Sequence, residues 1–207
     1  MTAVLVLLLV QGAMGALDTL WHHELGGLPT RPSARREIGL HAAREAIYAV
    51  VFLSLAWVAW QGAFAVLLAG LLLVEVGITL TDFVEEDRTR RLAASERVLH
   101  TLMAILFGVI LAAFAPVLIG WAREPTALAP ASYGPLSWAM TLVGLGVLVW
   151  AVRDGLAAMA PLPARAPDAP PSGRTVLVTG ATGFIGAAVV ADRLAQGDRV
   201  AVLARRQ

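Results

Sequence analysis

Hydrophobic positions in this chain gather into five long runs, at about 3–23, 39–60, 63–82, 98–121 and 136–152. A helix needs roughly 20 residues to cross a bilayer, and each run reaches or approaches that length. The pattern predicts a mainly α-helical, polytopic bundle of four to five transmembrane helices. The first run, VLVLLLV followed by small residues, competes with a signal-peptide reading. It lacks a basic leading segment and continues through Leu17, Leu20 and Trp21, so a span is expected instead. Trp138 and Trp150 bracket the fifth run as interfacial anchors would, with Trp57, Trp60 and Trp121 at one interface and Trp21 at the other. Gly70, Gly77 and Gly108 read as positions where helices approach closely.

Polar breaks between the runs set the expected orientation. Arg31, Arg35 and Arg36 follow the first run, and Arg88, Arg90, Arg91 and Arg97 surround the break after the third. The opposite side offers only Gln61 and Gly62 in one turn and Arg123 in the other. The excess of arginine predicts a cytoplasmic face there, with the N-terminus outside and the fifth run ending inside a bacterial-type inner or plasma membrane.

After Ala160 the pattern stops abruptly in PLPARAPDAPPSG, a Pro/Ala-rich stretch that cannot be helical and reads as a semi-rigid linker. Three units are therefore expected: a transmembrane domain over 1–155, a linker over 156–173 and a separate module over 174–207. Composition narrows the chemistry. The chain of 207 residues is 58% hydrophobic and 15% charged, with mean hydropathy +0.73, far from the soluble balance. It has no cysteine, which excludes disulfides, thiolate metal sites and cysteine nucleophiles. All 16 basic residues are arginine, so lysine Schiff-base chemistry and any Tyr/Lys catalytic pair are excluded as well. Nothing in the pattern points to nucleic acid; the expected partners are the bilayer and a small molecule in its lipid phase.

The last module has a different grammar. Val176 to Val178 read as a short buried strand, Gly180, Gly183 and Gly186 follow at three-residue spacing, and Ala187 to Leu194 continue as a helix. Gly197 and Asp198 turn into a second strand over Arg199 to Ala204, completing a partial Rossmann-type βαβ unit. Such a turn aims backbone N–H groups and a positive helix end at a pyrophosphate, and glycine keeps side chains out of the way. The TGATGFIG stretch, Thr179 to Gly186, resembles the nucleotide-binding turn of the extended short-chain dehydrogenase/reductase family, the NAD-dependent epimerase/dehydratase group. The resemblance covers about residues 174–206 and implies a nicotinamide dinucleotide held at Thr179, Gly180, Thr182, Gly183, Phe184, Ile185 and Gly186. Beyond the second strand an acid would select NAD and an arginine NADP; Arg205 and Arg206 stand there, which favours NADP. The family's downstream Tyr-x-x-x-Lys has no counterpart, and a two-stranded sheet leaves apolar surface uncovered. The module is expected to be the start of a domain completed in a longer polypeptide.

A second constellation lies in the membrane part. Three of the four histidines carry an acid four residues earlier: Asp18 before His22, Glu37 before His41 and Glu96 before His100. On a helix such pairs share a face. The four helix ends on the arginine-rich side also bring Glu45, Glu75, Asp82 and Glu86 to the same neighbourhood. Glu75, inside LLLVEVGITL, is an intramembrane acid of the kind that normally faces a partner and marks function. The predicted site is a carboxylate/histidine metal centre, dinuclear and suited to iron, manganese or zinc, in a four-helix bundle. Its expected ligands are Asp18, His22, Glu37, His41, Glu45, Glu75, Asp82, Glu86, Glu96 and His100. His23 follows His22 by one position and is expected to point away from it. Competing readings are a structural ion-pair network with Arg36 and Arg44, axial haem ligation by His22 and His100, and a proton or ion path over Glu45 and Glu75. Glu24, Glu85 and Asp87 read as solvated. Together these features predict a membrane-bound NADP-dependent oxidoreductase, or a membrane anchor whose polar network only fixes packing.

Overall fold

The computed structural model describes residues 1–25, 35–89, 92–160, 172–181 and 184–203. Five long helices dominate: α1 (Thr2–Asp18), α2 (Arg35–Leu55), α3 (Ala63–Thr89), α4 (Ala94–Ala122) and α5 (Pro135–Met159). A π-helical turn, Thr19–Glu24, continues α1 to a span of 23 residues. All five helices are long and apolar enough to cross a membrane. α3, α4 and α5 extend beyond the hydrophobic runs that predicted them, whereas α2 starts earlier and stops at Leu55. α3 and α5 continue to Thr89 and Met159, with Glu86 of α3 buried and Ala157 and Ala158 of α5 packed against Ile38 of α2.

The core is built where these helices face one another. Leu5 and Leu8 of α1, Phe52 and Leu55 of α2, Leu68 of α3, Ile110 and Phe114 of α4 and Met140 of α5 are almost completely buried. Leu73, Ile105, Ile119, Leu142 and Val149 point outward and are half to three-quarters exposed. A protein surface this apolar is suited to lipid rather than water. α2 packs along α5 through Gly144, where a Cβ would meet Leu53 side-chain carbons at 2.9 Å, and Gly12 of α1 is similarly close to Val143 and Phe52. The glycines expected to pack closely do not: a Cβ on Gly70, Gly77 or Gly108 would meet nothing within 4 Å.

Two short strands, β1 (Val58–Gln61) and β2 (Ala127–Pro130), pair antiparallel between the helices, with Trp60 opposite Leu128. They replace the simple turns expected between the second and third runs and after the fourth. Gly62 sits at φ +60°, and a Cβ there would fall 2.4–2.6 Å from Thr126 atoms, so only glycine closes this corner. Trp60 is buried against Phe64 and bonds Ser54, so it is a core residue and not part of an interfacial belt. Trp150 likewise lies well inside α5, nine residues before its end.

The C-terminal module consists of β3 (Thr175–Thr179), α6 (Phe184–Ala195) and β4 (Arg199–Leu203), with β3 and β4 parallel and Thr175 opposite Arg199. Val178 is buried beneath α6, whereas Leu177, Val202 and Leu203 are exposed. The linker, apart from its first five and last two residues, lies outside the described residues.

Candidate metal centre

The helix ends carry the site. Asp18 closes α1, and the π-turn that follows widens the helix so that the next five residues turn through a smaller angle each. In an α-helix His22 and His23 would diverge; here both rings reach one carboxylate. His22 Nδ1 donates to Asp18 Oδ1 at 2.8 Å, and His23 Nε2 lies 3.6 Å from Asp18 Oδ2. The expectation that His23 points away is therefore wrong. It is 5% exposed, and its spacing of five from Asp18 matches the π period and not the α one.

Opposite α1, the start of α4 supplies Glu96 and His100, both buried. His100 Nε2 contacts Asp18 Oδ2 at 2.9 Å, and its Nδ1 faces Glu86 Oε2 of α3 at 3.3 Å. Glu96 Oε1 lies 3.8 Å from His23 Nε2. One ligand atom from each of Asp18, His23, Glu96 and His100 falls within 4.8 Å of all the others. A second such group is formed by Glu37 and His41 of α2 with Glu86 of α3. The two groups touch: Glu86 faces His100, and the His23 and His41 rings stack with centroids 4.6 Å apart and an interplanar angle of 12°. Ligands on opposite sides of one ion stand about 4.2 Å apart, given bonds of roughly 2.1 Å. Both groups are therefore within a small side-chain adjustment of a coordination sphere.

The remaining predicted ligands surround these groups. His22 bridges Asp18 to Ser95, with Nε2 3.1 Å from the hydroxyl. Asp82 holds His41 Nε2 at 3.0 Å and accepts from Arg44 at 3.4 Å. These are the partners that orient a ligand, not members of either group. Glu45 and Glu75 also stand outside both groups. Glu75 accepts from Thr79 at 2.9 Å, and each carboxylate has one buried oxygen (Oε2) without a hydrogen bond among the described residues. Glu24, expected to be solvated, pairs with Arg153 of α5, and Glu85 pairs with Arg36. Asp154, Tyr48 and Gln11 belong to the same polar interior and carry no acid-to-histidine spacing that would have revealed them. Tyr48 and Gln11 line, with Asp18, Glu45, Glu75 and His100, a cavity of about 570 Å³ to which all five long helices contribute.

In the C-terminal module, Gly180 adopts φ +70° at the end of β3, and Gly186 lies so close that a Cβ would come within 2.0 Å of the Gly180 carbonyl oxygen. Both glycines are therefore demanded by the backbone. The turn leads into the N-terminus of α6, where Ile185 is 76% exposed. A close glycine approach at the end of a strand, followed by the start of a helix, is an arrangement that could receive a pyrophosphate. Thr179 ends β3 and Gly180 follows it, and Ile185 and Gly186 lie at the beginning of α6. Thr182, Gly183, Arg205 and the Phe184 side chain lie outside the described residues.

Comparison with curated proteins and with solved structures gives no match. Against protein families, the C-terminal residues 176–207 match the model of the NAD dependent epimerase/dehydratase family.

Proposed function

We propose that the chain is the membrane part, with the first nucleotide-binding turn, of an NADP-dependent oxidoreductase whose helical bundle holds a dinuclear metal centre. The observation that carries this reading is the pair of adjoining ligand groups, seven buried acids and histidines at one end of five membrane-length helices. Acids and imidazoles at such depth are expensive unless they serve a partner. Their oxygen and nitrogen donors fit iron, manganese or zinc. Asp18, His23, Glu96 and His100 hold one ion and Glu37, His41 and Glu86 the other, while His22, Asp82 and Arg44 orient them.

Orientation follows the arginines: α1 starts outside, and the metal end of the bundle and the C-terminal module face the cytoplasm. The exposed Leu177, Val202 and Leu203 support reading β3 and β4 as part of a larger sheet in a longer polypeptide. NADP bound there supplies or accepts a hydride. This chain's own contribution is the Gly180–Gly186 cradle and the metal ligands. The two sites then share one face of the membrane, next to a lipid-phase substrate.

Elemental analysis of protein purified in mild detergent tests the metal half. Up to two equivalents of iron, manganese or zinc are expected, lost in His100→Ala. A second reading, a structural network without metal, is favoured by His100, whose two ring nitrogens both face carboxylates. That network needs a doubly protonated imidazole, whereas metal ligation frees one nitrogen. Metal-free protein in which His100→Ala unfolds the bundle would decide for the network.

A further inference from the structure

The cavity beside the ligand groups has walls of two kinds. At one end stand Asp18 and His100 of the first group. Gln11 of α1 lies seven residues from Asp18, and Glu75 of α3 seven from Asp82, so both sit about 10 Å further along the bundle. Tyr48 of α2 touches both of them. Yet Gln11 Oε1, Tyr48 Oη and Glu75 Oε2 are all buried and close no hydrogen bond of normal geometry among the described residues. Gln11 is 9% exposed and Glu75 only 3%. Elsewhere the lining is mostly apolar, with Phe52, Phe107 and Leu111, although Arg44 and Glu45 of α2 and Thr79 of α3 also face the cavity between the two stations. Room is made by glycines from three helices: Gly15, Gly108 and Gly146 line the cavity, and a Cβ on any of them would meet nothing within 4 Å.

We infer that this cavity is a binding chamber for an elongated, uncharged lipid-phase alcohol, with its hydroxyl on Gln11, Tyr48 and Glu75 and its far end beside Asp18 and His100. The size falls within the roughly 300–1,000 Å³ of small-molecule sites, which are likewise mostly apolar with a few placed polar groups. The polar station is rich in acceptors, an amide oxygen and a carboxylate oxygen with a phenol between them. It therefore calls for a ligand that brings an O–H donor. An anionic head would meet Glu75 and Glu45 across low dielectric, where like charges repel strongly, and Arg44, the cation on this wall, is already held by Asp82. The mostly apolar lining excludes a molecule that is polar throughout. Binding in the chamber stands on the cavity alone; only the statement that the far end is the reacting end rests on the metal reading above.

The test is photolabelling of the full chain in lipid nanodiscs with octan-1-ol carrying a mid-chain diazirine, followed by peptide mass spectrometry. Label is expected on the cavity faces of α1 and α4, around Gly15 and Gly108. Unlabelled octan-1-ol should compete about tenfold better than octane, as expected for one hydrogen-bonded group. Gln11→Leu and Glu75→Gln should each weaken capture several-fold. Gly108→Trp, which fills open space, should abolish it while the thermal midpoint holds. Label spread over the lipid-facing Leu73 and Ile105, equal competition by octane, preferential capture of octylamine, or unchanged capture in Gly108→Trp each overturns the proposal. Metal-free protein that still captures the alcohol upholds the chamber and removes the metal reading. Metal-loaded protein without capture does the reverse.

Discussion

At the scale of single residues, the contrast between His22 and His23 is the most informative. Both reach Asp18, but only His23 belongs to a ligand group, while His22 is tied back to Ser95. His23→Ala should lower metal content as His100→Ala does. His22→Ala should keep the stoichiometry and weaken affinity by about 10- to 100-fold, the usual effect of losing an orienting partner. Metal titration of the two purified variants separates these roles. The three acid-to-histidine pairs were readable because α-helical phase puts residues four apart on one face. His23 was hidden because the helix changes period just before it, and nothing in TLWHHE announces a π-turn. Gln11 and Tyr48 were hidden for another reason: a lone amide or phenol in an apolar run has no spacing to betray it.

At the scale of elements, glycine divides into two populations. Gly144 is pressed against Leu53 at the α2–α5 contact, so Gly144→Ala should lower the thermal stability of the purified protein by about 1–3 kcal/mol through overpacking. Gly77→Ala, at an exposed position where a Cβ meets nothing, should be neutral or gain up to about 1 kcal/mol from reduced chain entropy. Thermal unfolding in detergent ranks the two. Composition alone does not distinguish these glycines, since closeness depends on which face the neighbouring helix covers. In the C-terminal module, by contrast, the role of glycine was readable from the strand–turn–helix order around it. Gly186→Ala must displace the Gly180 carbonyl, and faster amide exchange over 175–186 with α1–α5 unchanged is the expected signature, read by mass spectrometry.

At the scale of the whole molecule, the five apolar runs announced five helices long and apolar enough to cross a membrane, and the arginines predict their orientation. Fusing a cytoplasm-active reporter after Met159 and an outside-active one before Met1 should give signal from both in living cells. Reversal of either result removes the shared-face arrangement on which the proposed reaction depends. What the runs did not announce is how the bundle is tied at its other end. The β1–β2 ladder joins the α2–α3 connection to the α4–α5 connection and is locked by the Gly62 corner. The acid/histidine end has no such ladder among the described residues; there Asp18 meets His100, Glu86 meets His100 and His41 meets Asp82 across the helices. The bundle is thus built like tongs, with a fixed pivot at one end and jaws at the other. Over an arm of about 30 Å, the length of a 20-residue helix, a tilt of about one degree moves the jaws by about 0.5 Å. That is the size of adjustment the two ligand groups need to close on ions. A grip tightened in this way would leave the pivot in place and would narrow the chamber between the arms in step.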